Sequence, residues 1–325
     1  MNTAIAAEGT ADLTARFAVE VREGLRRQGQ KTLPSKYLYD ALGSALFDAI
    51  TALPEYGLTR AEERILQRRA KEIVNYVPRP ALVSELGSGN GRKTRWILNA
   101  LCAREPLSYY PIEISRAALA SCESELRDIE AVSVVGVERE YLDGLREVAA
   151  VRPRDSHLLV LFLGSTIGNF DRGADARFLS GVRRFLRAGD SLLLGTDMLK
   201  AEERMIAAYD DPLGVTAAFN LNLLVRINRE LGADFDPRAF AHEARFNSDT
   251  SSIEMHIRSR RKQTVYFRRD GYFVTFEEGE TIWTEGCHKH SPESIDELAA
   301  ASGFRKRAQW VDAEWPFAET LLIAS

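Results

Sequence analysis

Apolar residues recur at helical spacing over residues 11–29, at Leu13, Phe17, Val21 and Leu25, and a polar link, GQKTLPS, follows. From there to about residue 76 the pattern stays helical. Two apolar faces in YLYDALGSALFDAITALPEYGLTRAEERILQRRAKEIV are broken at Leu53-Pro54-Glu55-Tyr56-Gly57, and Thr59 is expected to cap the second helix. Beyond Pro78 short apolar runs alternate with helical stretches. Strands are expected at Ala81 to Leu86, Tyr109 to Ile114, Val132 to Val137, His157 to Leu163 and Asp190 to Thr196, with helices near 92 to 103, 116 to 129 and 174 to 187. This alternation predicts an α/β fold with a parallel, doubly wound sheet. After Thr196 the alternation lapses: Ala201 to Tyr209 and Val215 to Leu231 read as helices, and residues 240 to 285 as antiparallel strands, a second, substrate-facing module. A helix from about Pro292 to Ala301 and strands in RKRAQWVDA and FAETLLIAS then close the chain. No internal repeat or low-complexity tract interrupts the pattern.

The first strand runs into an acid followed by alternating glycines, Glu85, Gly87, Gly89 and Gly91, in LVSELGSGNGRKT. Glycines at that spacing let the backbone turn with φ > 0 and come close to a ligand. A dinucleotide fingerprint needs its third glycine where Arg92 stands, and a phosphate loop needs Gly-Lys-Thr where the chain has Gly91, Arg92, Lys93 and Thr94. Both departures argue against a phosphate ligand. An E-x-G-x-G-x-G turn instead resembles the first motif of class I S-adenosylmethionine (SAM) methyltransferases, whose glycines accommodate the amino-acid end of SAM. The terminal helix and antiparallel hairpin likewise resemble the way that fold completes its sheet.

Composition bounds the partners. With 325 residues, 45% hydrophobic and 28% charged, the chain can bury a large core. A net charge of -4 disfavours a polyanionic partner, and the basic run Arg258 to Lys262 reads as a solvated turn or helix face. No apolar run approaches the roughly 20 residues that span a bilayer, and the N-terminus lacks signal-peptide character. Three scattered cysteines, Cys102, Cys122 and Cys287, suit a reducing compartment. The expectation is a cytoplasmic, monomeric protein with a small-molecule partner, no nucleic acid and no membrane. Cys287, His288 and His290 match no common zinc spacing, so no metal is expected. Asp210-Asp211-Pro212 reads as a solvated helix terminus.

Glu113 ends the second strand, roughly 25 residues beyond the glycine turn, where α/β nucleotide sites present an acid to ribose hydroxyls. The fourth strand ends in Gly164, Ser165, Thr166, Gly168 and Asn169, small and polar residues at the edge where open parallel sheets bind ligands. No D/N-P-P-Y/F sequence of the kind used on DNA bases stands there. LFLGSTIGN, together with LPEYGLTRAE, SELGSGNGRKT, LLLGTDMLK, AAYDDPLGVTAAFN and IWTEGCHK, resembles the histidine Nα-methyltransferase family of ergothioneine biosynthesis, from about Leu33 to the C-terminus.

That resemblance implies specific roles. Tyr56, Asn169 and Tyr209 match residues that hold the acceptor's carboxylate and amine, and Tyr39 matches another tyrosine of that site, placed to orient the amine or relay its proton through water. Gly87, Lys93 and Glu113 match SAM contacts; Gly89, in the glycine turn, and Gly164, at the end of the fourth strand, are assigned to the same donor. Met255 and Glu285 match residues beside the acceptor side chain, with Glu285 expected to bond the imidazole. Two positions depart. Val137 stands where the family has the acid for the adenine amino group, leaving Glu138 or a backbone carbonyl, and Cys287 stands where the family has serine, a stronger hydrogen-bond partner.

The implied architecture is a class I, Rossmann-like SAM-methyltransferase sheet with a second α+β substrate-binding domain. Residues 1–60 are expected to be a helical part of the methyltransferase domain, 61–79 a joining helix, 80–199 with 286–325 the SAM-binding domain, and 200–285 the substrate-binding domain. The implied reaction is SAM-dependent trimethylation of the histidine α-amino group to hercynine. A relative acting on tryptophan or another aromatic amino acid, and a SAM-binding regulatory protein without turnover, are the alternatives.

Overall fold

The computed structural model describes residues 3–79, 81–170 and 173–325. Its contacts group them into two compact units, Leu58–Lys200 with His288–Ser325, and Met1–Gly57 with Ala201–Cys287.

The first unit is built on one large sheet. Its strands are β1 (Ala81–Leu86), β2 (Leu107–Glu113), β3 (Val132–Val134), β4 (His157–Phe162), β5 (Ser191–Asp197), β6 (Phe304–Val311) and β7 (Phe317–Ala324). They lie in the order β3-β2-β1-β4-β5-β7-β6, and a two-residue strand, Val137–Glu138, also pairs with β2. All pairings are parallel except those of β7, which runs antiparallel to β5 and β6. This is the seven-strand order of class I methyltransferases, with the order reversing between β1 and β4, where open sheets bind ligands at their carboxyl ends. The expected third strand is split because Val135 and Gly136 leave the ladder. The interior strands β4, β5 and β7 are buried along their whole length, as strands covered on both faces must be, so they read as apolar runs and not as alternations. Phe162, Leu192, Leu194 and Leu322 pack there with Phe178, Leu179 and Val182 of the helix Ala174–Arg183.

A helix not expected from the sequence, Tyr141–Val151, also covers the sheet. Its Gly144 has Ile112 of β2 within 2.5 Å of where a Cβ would stand, so the glycine that weakens the helical signal is what lets the helix approach. The helix Gly57–Val74 begins before Thr59, which lies within it and does not cap it.

The second unit combines helices Thr3–Leu25, Ala41–Ala52 and Val215–Leu231 with antiparallel strands. Phe17, Val21 and Leu25 of the first helix are buried; the side chain of Leu13 lies outside the described residues. Asp40 caps Ala41–Ala52 by accepting the Gly43 amide at 2.8 Å, and its carboxylate also takes Asn222 at 2.8 Å and Arg229 at 2.7 Å from Val215–Leu231. Within the expected polar link, Lys31 and Thr32 pair in parallel with Ile282 and Trp283. These contacts join the N-terminal residues to 201–287, whereas the sequence reading attached residues 1–60 to the methyltransferase domain. Asp211 is buried, not solvated. Its carboxylate accepts the Val215 and Thr216 amides at 3.0 and 2.7 Å, and although burial works against its charge, those amides hold its pKa below the usual carboxylate range. Strands Phe240–Asn247 and Ser252–Ser259 pair in antiparallel register, Gln263–Phe267 and Tyr272–Phe276 form a separate hairpin, and Thr281–His288 completes the unit's four-stranded sheet.

Candidate active site

In the large-sheet unit the turn after β1 places Gly87, Gly89 and Gly91 at φ values of 75°, 52° and 70°. A Cβ on Gly91 would stand 2.6 Å from the Cys122 sulfur and one on Gly87 would stand 3.1 Å from the Tyr141 hydroxyl, while the space beside Gly89 is open. The turn is therefore tight on its protein side and clear at its middle, as a ligand-bearing loop requires.

Behind it, Glu85 is fully buried. Its Oε2 accepts the Thr94 hydroxyl at 2.7 Å and the Tyr109 hydroxyl. Burial pushes its pKa up to about 7 despite those two donors. An acid that holds its proton more tightly when folded contributes most below its unfolded value, near 4.5, and loses that contribution as pH rises through about 7. Glu85→Gln keeps both acceptor bonds and removes the titration. The variant is expected to gain stability on the wild type by about 3 kcal/mol between pH ~5 and pH ~8. Urea unfolding at the two pH values checks this, and a gap that does not change with pH contradicts it.

Glu113, at the end of β2, is half-buried, and its Oε1 accepts the Ile114 and Ser115 amides at 2.9 and 3.2 Å, which fixes the carboxylate at the strand's carboxyl edge. Tyr141, which the sequence reading missed, lies close enough that burial, reinforced by the Glu113 charge, pushes its phenol up to about 12. Glu138 is exposed and paired with Arg116 at 3.2 Å. At the end of β4, Gly164 has φ 75° and Ser165 φ 57°. The Asp197 amide donates to the Ser165 hydroxyl at 2.8 Å, pinning this left-handed residue ahead of the turn Thr166–Asn169 that carries Asn169. The Lys93 ammonium sits 3.6 Å from where a Gly164 Cβ would stand.

The mixed unit gathers the three expected tyrosines. Tyr56 and Tyr209 have ring centroids 6.1 Å apart, Phe47 links Tyr56 to Tyr39 at 6.2 and 5.5 Å, and Phe219 packs on Tyr39 and Phe47 at 5.4 and 6.0 Å. Tyr56 and Tyr209 are buried and Tyr39 is exposed. Glu285 and Cys287 are buried on the strand Thr281–His288, where alternation puts both on the face that carries Trp283. The Trp283 indole donates to the Glu285 carbonyl at 2.8 Å, and Gly286 leaves room for its ring. Met255, on Ser252–Ser259, is buried.

A polar chain absent from the sequence reading ties these elements together. The Thr284 hydroxyl lies 2.7 Å from Asn220 Oδ1 and 3.0 Å from the Met255 carbonyl, acceptors that share its one proton. The Asn220 amide nitrogen reaches the His256 carbonyl at 3.1 Å and His242 Nδ1 at 2.9 Å, and His242 Nε2 reaches the Tyr209 carbonyl at 2.7 Å. A carbonyl can only accept, so Nε2 carries the proton and Nδ1 accepts from Asn220. Burial holds the His242 pKa down, consistent with that neutral ring. The sequence signals for this chain were Asn220, ending AAYDDPLGVTAAFN, and Thr284, within IWTEGCHK.

Residues 17–324 match the family described as "Histidine-specific methyltransferase, SAM-dependent". The chain belongs to this family. The histidine N-alpha-methyltransferase of Mycobacterium tuberculosis is 42% identical over 304 residues, covering 93% of this chain and 93% of that protein. Ergothioneine biosynthesis protein 1 of Neurospora crassa is 31% identical over 87% of this chain and 32% of its own length. The L-tryptophan methyltransferase trpM of Psilocybe serbica is 27% identical over 92% of this chain and 90% of that protein. The family is SAM-dependent, and the residues present suit that donor: a clear space beside Gly89, a fixed acid at Glu113 and a half-buried cation at Lys93.

Proposed function

We propose that this histidine-specific methyltransferase family member trimethylates the α-amino group of L-histidine to give hercynine. The observation that carries the reading is the family match over residues 17–324, and the gathering of Tyr39, Tyr56 and Tyr209 in one aromatic cluster supports it. When bound, SAM supplies a methyl group on an already activated sulfonium. The protein's task is then to position the acceptor and keep water out, and no strong base is required.

Tyr56 and Tyr209 grip the acceptor's carboxylate and amine through hydroxyls carried on buried rings. Asn169 keeps its role on the strength of its motif. Tyr39, more exposed, orients the amine or passes its proton to water. The amine must be neutral to attack, and a partly desolvated pocket beside a cationic donor lowers its pKa. Glu285 accepts a bond from the imidazole, with Met255 against the ring and Cys287 in place of the family serine. Gly87, Gly89, Gly164, Lys93 and Glu113 are assigned to the donor, and Glu138 to its adenine. The enzyme is proposed to act as a cytoplasmic monomer on a small molecule; among the described residues no helix is long and apolar enough to cross a membrane.

An indole acceptor is the second reading, motivated by the similarity to the Psilocybe serbica tryptophan enzyme. An indole has one polar atom, its N–H, whereas an imidazole has two ring nitrogens, one for Glu285 and one for a second polar partner. Turnover of an amino-acid panel with SAM separates the two. Histidine is expected to exceed tryptophan by at least ~100-fold in kcat/KM. Preference for tryptophan overturns the histidine reading, and SAM binding without turnover of any amino acid points to a regulatory protein.

A further inference from the structure

Carboxylates are rarely fully buried unless paired, yet the large-sheet unit buries Glu62 and Glu319 at 0% exposure and Glu85 at 2%. Glu62 lies on the helix Gly57–Val74 and Glu319 in the middle of β7. One oxygen of Glu62 accepts the Gly164 amide and the other pairs with the Lys93 ammonium. The lysine side chain remains 26% exposed, so the salt bridge has a closed acidic side and an open basic side. Burial works against the Lys93 charge, but Glu62 outweighs it and holds the pKa above the usual lysine value.

Glu319 completes the node from behind. Neither of its oxygens accepts a hydrogen bond among the described residues, and its carboxyl lies against that of Glu62. Burial, and then the Glu62 charge, push its pKa well above the usual carboxylate range. Gly195 on β5 makes the space: a Cβ there would stand 2.7 Å from a Glu62 oxygen and 3.1 Å from a Glu319 oxygen. Two adjacent buried acids facing one lysine cannot both ionise cheaply, so one negative charge, on Glu62, serves Lys93. Glu319 then fills its site as a neutral acid.

We propose that Glu62 is a positioning residue for the methyl donor, holding the Lys93 ammonium and the Gly164 amide in the arrangement that receives the donor's amino-acid end. This rests on the reading of Lys93 and Gly164 as donor contacts. Glu62 touches neither reacting atom; it acts through the two groups it fixes.

The same chemical change at the two acids tests it. Glu62→Gln can still accept from Gly164 but offers Lys93 an amide in place of a carboxylate. Its SAM dissociation constant, by titration calorimetry, is expected to rise at least ~10-fold, with KM for SAM raised and KM for histidine unchanged. Glu319→Gln replaces one neutral group by another and is expected to bind SAM within ~3-fold of wild type. A folded Glu62→Gln that binds SAM like wild type overturns the proposal, as does an equal loss in Glu319→Gln. If Glu62→Gln does not fold, Glu62→Asp, which keeps the charge but shortens its reach to Lys93 and Gly164, is expected to fold with the same direction of loss. Failure of both to fold makes Glu62 a residue of the fold alone and also overturns the proposal. Wild-type protein that does not bind SAM would instead sink the reading of the donor site.

Discussion

Glu285→Ala is expected to lower kcat/KM for histidine by about 100-fold while leaving SAM binding intact, because a charge-assisted bond to the imidazole is worth roughly 2–3 kcal/mol. The position is suited to that bond. Glu285 is buried on a strand, and the Trp283 indole fixes its backbone through the Glu285 carbonyl at 2.8 Å. Truncation removes the acceptor without touching the Thr284 hydroxyl on the opposite face of the strand. Cys287→Ser, which exchanges a weak partner for a stronger one, is expected to change histidine kcat/KM by no more than ~3-fold. Steady-state kinetics on the two variants gives the comparison. Undiminished histidine turnover in Glu285→Ala removes Glu285 from the acceptor site.

Asn220→Ala is expected to destabilise the protein by roughly 2–4 kcal/mol and to raise KM for histidine, the largest effect expected of any residue that does not itself touch substrate. Asn220 is fully buried and its amide spends every group: Oδ1 on Thr284, Nδ2 on the His256 carbonyl and His242 Nδ1. Alanine leaves the His256 carbonyl and His242 Nδ1 without that donor, while the Thr284 hydroxyl keeps only the Met255 carbonyl. The loss also leaves His242 on the Tyr209 carbonyl alone and Thr284, which precedes Glu285, on the Met255 carbonyl alone, so the support of two assigned acceptor residues weakens together. Urea unfolding and the KM of the surviving enzyme are the readouts. An unchanged unfolding midpoint contradicts the network; a lost midpoint with unchanged KM denies it any role in the site.

Much of the fold was legible where its signals are local. Val215–Leu231 and Pro292–Ala301 carry apolar periodicity with clear punctuation, and both fall where expected. The glycine turn was equally clear, since three positive φ angles in five residues leave few alternatives to glycine. What escaped was long-range. Lys31 and Thr32 sit in a polar link, and only their partners Ile282 and Trp283, some 250 residues away by register, make them a strand. Tyr141–Val151 was hidden by Gly144, a helix-weakening residue kept for its approach to Ile112. Asp211 looked solvated because a charged pair before proline usually is, and it is buried because two helix amides require it. Glu62 ends LPEYGLTRAE without announcing a role, and Glu319 gave only a faint mark, a lone acid inside the apolar run FAETLLIAS opposite a glycine in the strand LLLGTD. The tyrosines were found through motif order, since nothing in the spacing of Tyr39, Tyr56 and Tyr209 announces that their rings form one cluster.

The most direct test of the central claim is tandem mass spectrometry of the product formed from L-histidine and SAM by the wild-type protein. Histidine is expected to gain three methyl groups, all on the α-nitrogen, with an unmodified imidazole and three equivalents of S-adenosylhomocysteine released. Methyl groups on the ring, or an untouched histidine alongside a methylated tryptophan, would contradict it.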